Sequence, residues 1–142
     1  MRSIRLFVAG ATVVGLLAET PIQVDARSCV GGLTNDYHFK ISESVFLGQA
    51  VEQRVVPDGQ GGNDVETTFV VDAQWKGERT PRTTVRTCGG AGKVCSDTYA
   101  FEPGQWYVVF AWGRPLHTSN CSLTSKREAG ASILAWLRGR QF

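Results

Sequence analysis

Four cysteines, Cys29, Cys88, Cys95 and Cys121, are the residues with the most chemistry to offer. Thiols can ligate a metal, attack a carbonyl or oxidise to bridges, and spacing separates these uses. A structural zinc site asks for tight pairs about two to four residues apart. Cys88 and Cys95 have six residues between them and no second tight pair accompanies them, so no metal centre and no cofactor are expected. An even number of cysteines, all beyond an apolar N-terminal stretch, favours two disulfides in an exported domain. Oxidised sulfurs leave no thiolate to act as a nucleophile.

The remaining chemistry-bearing residues are sparse. His117 lies near Ser119 and Ser122 in sequence, and His38 near Asp36, but neither group has the pattern of a nucleophile elbow or a metal pair. No catalytic residue is expected. Asp58, Asn63 and Asp64 offer oxygen donors in a glycine-rich loop without the spacing of an EF-hand, so a hairpin tip is the simpler reading. Gly89, Gly90 and Gly92 lie between two sulfurs and ahead of a strand, whereas a phosphate-cradling loop opens a helix. Trp75, Trp106, Tyr107 and Trp112 could stack on an oligosaccharide or another ligand, although strand aromatics more often fill a core.

The elements that must position these residues are mostly strands. Residues 106–111, Trp-Tyr-Val-Val-Phe-Ala, follow a Glu-Pro-Gly-Gln turn and have the uncharged β-branched and aromatic character of a strand buried on both faces. Residues 44–56 alternate, with Val45 and Leu47 on one face and Phe46, Gly48 and Ala50 on the other. Gly48 in mid-strand implies a bend or the close approach of another backbone. Residues 66–75 and 83–87 read as further strands, and Leu116-His117-Thr118 as a last short one delivering Cys121. Leu33, Tyr37 and Ile41 recur at a spacing of four, one face of a short helix capped by Asn35 or Asp36. Residues 126–138 read as a closing helix, with Ser125 and Glu128 as its capping box. Five short antiparallel strands, one of them bent, with a helix at either end, fit a mainly β fold: a Greek-key barrel of the OB kind.

The first 26 of the 142 residues have the form of a secretory signal: Arg2 and Arg5, an uncharged apolar run over residues 6–18, and Val24-Asp25-Ala26 before the cleavage point. Cleavage after Ala18 is the alternative. The apolar run is shorter than the roughly 18–20 residues that span a bilayer, so the mature chain is expected to be exported, extracellular or periplasmic, without stable membrane insertion. Removing residues 1–26 leaves the net charge of +2 unchanged. No clustered basic face argues for nucleic acid. Residues 27–142 read as one domain.

Several of these stretches resemble one known family. Arg27-Ser28-Cys29-Val30, Ser44-Val45-Phe46-Leu47-Gly48, Trp75-Lys76-Gly77, Cys95 ahead of Phe101-Glu102-Pro103-Gly104-Gln105-Trp106, and Thr118-Ser119-Asn120-Cys121-Ser122 resemble the N-terminal domain of tissue inhibitors of metalloproteinases, in the compact bacterial form of the netrin-like superfamily. The resemblance implies an OB-fold, a disulfide from Cys29 to Cys121 and a local one from Cys88 to Cys95. Cys29 with Cys95, leaving Cys88 for Cys121, is the alternative. It also implies a non-catalytic protein-binding module, a candidate metalloendopeptidase inhibitor whose partner is an extracellular or periplasmic metallopeptidase. The contact surface would be Arg27, Ser28, Cys29 and Val30 with Ser119 and Asn120 beside them. One departure bears on mechanism: Arg27 stands where the family's zinc-chelating N-terminal cysteine would be. An oligosaccharide- or ligand-binding OB-fold protein of the cell envelope is the alternative function.

Overall fold

A computed structural model describes residue 29, residues 31–89, residue 95 and residues 97–140. The secretory signal expected over residues 1–26, and Arg27, Ser28 and Val30 of the expected contact arm, lie outside the described residues. The element order is α1 (Asn35–Ile41), β1 (Ser44–Pro57), β2 (Asn63–Lys76), β3 (Arg82–Cys88), β4 (Trp106–Ala111), β5 (Ser125–Lys126) and α2 (Ala131–Arg138). The strands form one antiparallel sheet in the order β3-β2-β1-β4-β5.

β4 explains the layering. Its side chains alternate between two apolar clusters, Tyr107, Val109 and Ala111 in one and Val108 and Phe110 in the other, so the strand is buried on both faces as its uncharged run implies. The first cluster joins Phe46 and Ala50 of β1, Phe69 of β2 and Val85 of β3 to Phe101. His117 bridges both Arg86 of β3 and Trp112 directly after β4, two strands that are not neighbours in the strand order, so the sheet is curled. Edge-to-face aromatic contacts run through it, Phe69 to Phe101 and Phe101 to Tyr107 both at 4.9 Å between ring centroids. The second cluster lies under the helices, where Phe39 of α1 and Leu134 and Leu137 of α2 meet Val45, Leu47, Val108 and Phe110.

The bend expected at Gly48 is present. Pairing between β1 and β2 shifts register at Leu47/Gly48, and a Cβ on Gly48 would sit 3.0 Å from the Val70 carbonyl oxygen, too close for any side chain to be added without movement.

Three sequence expectations need correction. Leu116-His117-Thr118 is not a strand. His117 makes single bridges, parallel to Arg86 and antiparallel to Trp112, because residues 113–116 form a turn and hydroxyl groups then take the place of a ladder. Thr118 Oγ1 donates to the Phe110 carbonyl at 2.8 Å, and the Phe110 N–H donates to Thr124 Oγ1 at 2.9 Å. The closing helix begins at Ala131 rather than near 126, since Ser125 and Lys126 pair with Val108 and Tyr107 as β5. Ser125 and Glu128 therefore form no capping box, and Gly130 occupies the N-cap without a side-chain bond. At α1 the cap is Thr34, whose side chain accepts from the Tyr37 N–H, and not Asn35 or Asp36, which are already helical.

Candidate functional site

α1 is held from beneath and from its ends. Phe39 and His38 are buried. Lys76 Nζ donates to the carbonyls of Phe39 at 2.8 Å and Lys40 at 2.9 Å, placing a cation where the helix dipole is negative. Arg140, beyond α2, stacks on Phe39 and Trp136 with its guanidinium 4.7 and 4.4 Å from the ring centroids. It also ion-pairs with Asp36 at 2.5 Å. These contacts fix which side of the helix faces in.

The other side carries the apolar stripe. Leu33, Tyr37 and Ile41 are 40, 45 and 48% exposed. Facing them across a groove of about 320 Å³ are Trp112, 36% exposed, and the segment holding Ser119 and Cys121. Scattered apolar surface residues are ordinary, but several gathered along one groove make it a candidate contact surface. The helix periodicity holds for Tyr37 and Ile41, whereas Leu33 precedes the Thr34 N-cap and is not helical; the structure turns all three to solvent.

Cys121 ties the groove to Cys29. Cys29 and Cys121 are bridged, with Cα atoms 5.3 Å apart, and Cys88 is bridged to Cys95 at 5.8 Å. This is the pairing that the resemblance implies. Cys29 itself is exposed. Ser119 is buried, with its hydroxyl accepting from the Cys121 N–H at 3.1 Å. Asn120 is half-buried, its backbone N–H donating to the Asp97 carbonyl and its side-chain amide to the Thr98 carbonyl. These two residues shape the segment that carries Cys121 into the groove wall.

His38 also lines the groove, and its burial lowers the imidazole pKa below 6.5, so it stands as a neutral ring at physiological pH. His117 shares a small cleft of about 220 Å³ with Asp64, Asp97 and Ser119. Among the described residues no hydrogen bond joins its ring to a serine or a carboxylate. No group of three or more His, Cys, Asp or Glu residues placed to hold a metal occurs among the described residues. The loop after β1 closes on itself, with Asp58 Oδ1 accepting from the N–H groups of Gln60 and Gly62.

The aromatic residues considered for stacking do not gather on one face. Tyr107 is fully buried in the first cluster, its hydroxyl accepting from the Glu102 N–H. Trp75 and Trp106 pack against the second, and Arg127 covers the Trp106 ring at 5.3 Å. Only Trp112 of the four is exposed, and it faces the groove.

A larger cleft of about 550 Å³ is lined by Glu43, Glu78, Arg82 and Arg114. Its mixed charges, with Arg114 pairing Glu43 at 3.8 Å, give it no single electrostatic preference. The residues that sequence reasoning missed are Trp112 as a groove wall and Thr118, Ser122 and Thr124 as its hydroxyl support. Their signal was the run of Ser and Thr around Cys121, which satisfies backbone groups that a strand would otherwise pair.

No protein-family model and no curated protein matches this chain. Two disulfides are the chemistry of an oxidising compartment. No helix among the described residues is long and apolar enough to cross a membrane.

Proposed function

We propose that this chain is an exported, non-catalytic protein-binding module that engages its partner through the groove between α1 and the Cys121 segment. The observation that carries this reading is the exposed set Leu33, Tyr37, Ile41 and Trp112 beside the Cys29–Cys121 bridge. An apolar groove with few polar groups takes apolar side chains of another protein, and the disulfide holds Cys29 at its rim. The partner class is the one that the family resemblance supplies, a metallopeptidase outside the cytoplasm. Arg27 in place of the chelating cysteine means that inhibition proceeds by occluding the peptidase and not by an anchored α-amine on its zinc.

The same reading takes the curled sheet as an OB-type Greek-key barrel. Residues 116–118 act as the closing segment between β3 and β4, supported by backbone bonds from the Arg86 N–H to the Leu116 carbonyl and between Trp112 and His117.

The test is inhibition of a panel of purified secreted zinc endopeptidases by the oxidised protein. At least one is expected to be inhibited, with loss of inhibition on Tyr37→Ala. A panel wholly unaffected would remove the inhibitor reading.

A further inference from the structure

β1 has a free edge. On its outer side β4 pairs only residues 44–49, and the loop before β4 then takes Ala50, whose N–H donates to the Gln105 carbonyl and whose carbonyl accepts from the Gly104 N–H. Beyond Ala50, no strand or backbone group among the described residues pairs with that side, while β2 continues to pair with the inner side as far as Pro57. Residues 51–55 are all exposed, including Val51 at 38% and Val55 at 68%. An exposed strand edge with apolar residues is a template for another strand.

The sequence of that edge, Val51-Glu52-Gln53-Arg54-Val55, says which strand fits. Two copies related by a two-fold axis normal to the sheet must pair residue i with a residue of the same parity, so that opposed side chains share a face. The axis then passes beside one residue. Centred on Glu52 or on Arg54, it would set two like charges directly opposite each other, which is destabilising. Centred on Gln53, it sets Glu52 against the second copy's Arg54, whose guanidinium also holds Glu66 of its own chain, and Val51 against its Val55, each twice. The pattern is thus complementary to itself in one register. Pro57, with no N–H to donate, falls opposite residue 49 of the second copy, next to Ala50 where that copy's own Gly104 and Gln105 already occupy the edge, so the ladder ends there.

We propose that two copies of this chain associate edge to edge through residues 51–55 of β1, in an antiparallel ladder centred on Gln53. A ladder this short buries less than the roughly 1,000 Å² of a stable interface, so the dimer is weak and forms with rising concentration.

Sedimentation of the oxidised protein across about a hundred-fold range of concentration tests this. The expected result is a reversible monomer–dimer equilibrium, weakened at least about tenfold by Val55→Lys, a charge placed on the edge. The register has its own readout. Directly opposed Cα atoms lie about 4.5–5.5 Å apart in an antiparallel pair, within reach of a disulfide. Gln53→Cys is therefore expected to cross-link to itself on oxidation. Val55→Cys, about 13 Å from its counterpart along the strand, is not. A protein that stays monomeric throughout, cross-links equally at both positions, or only accepts an added foreign peptide at this edge would overturn the proposal.

Discussion

Two side chains make acid stability legible residue by residue. His38 has its pKa lowered by burial, so the unfolded chain binds its proton more readily than the folded one. Stability is full above the ordinary value of 6.5 and declines as pH falls through it, until the folded ring itself protonates. Glu66 acts in a lower window. Its carboxylate accepts from Arg54 at 2.5 Å and from Arg86 at 3.2 Å, and these guanidinium groups, Arg54 first, lower its pKa from 4.5 against the opposing effect of burial. That contribution is present above 4.5 and is lost as pH falls through the folded value. Denaturant titrations at several pH values should show two declines, the upper one removed by His38→Gln. Glu66→Gln, which leaves two guanidinium groups facing a neutral amide, is expected to cost about 1–3 kcal/mol at neutral pH in the same titrations.

Among the elements, β4 was the most legible, because an uncharged run of aromatic and β-branched residues can be satisfied only by burial on both faces. The alternation of β1 was equally plain up to Ala50, beyond which the strand leaves the core and its outer edge has no backbone partner among the described residues. The closing helix was legible in its apolar spacing, with Leu134 and Leu137 inward, but not in its start. Ser125 and Lys126 had been claimed by a two-residue strand, a long-range pairing that no local pattern announces. α1 shows the limit of periodicity, which groups Leu33, Tyr37 and Ile41 without saying whether the group faces the core or solvent. That depends on Phe39, Lys76 and Arg140, the last of these 104 residues from its partner Asp36. Arg140→Ala removes two ring contacts and an ion pair from α1, and thermal unfolding should register a loss of about 1–2 kcal/mol.

For the whole molecule, two disulfides of very different span frame the sheet. The Cys29–Cys121 bridge spans 92 residues of sequence and the Cys88–Cys95 bridge only 7. On chain-entropy grounds the long link stabilises by about 4–5 kcal/mol and the short one by about 2–3 kcal/mol. Denaturant unfolding of the paired Cys→Ser variants should rank them in that order. The two bridges also place the described part of the chain in an oxidising setting. The cysteine count made this readable from the sequence, whereas which sulfur met which followed only from the family likeness and the fold. The proposed contact surface was half legible: of Ser119 and Asn120, expected beside the arm, Ser119 lines the groove, but Trp112 joins it only because the turn through residues 113–117 brings it back. The most direct test is to measure binding of an inhibited peptidase to the native protein, to Ile41→Asp in the groove and to Val70→Asp, an exposed position on β2, each checked for unchanged thermal stability. The account predicts that Ile41→Asp loses affinity by at least about tenfold, the equivalent of 1.4 kcal/mol, while Val70→Asp binds as the native protein does. Equal binding by both variants, or equal loss, would contradict it.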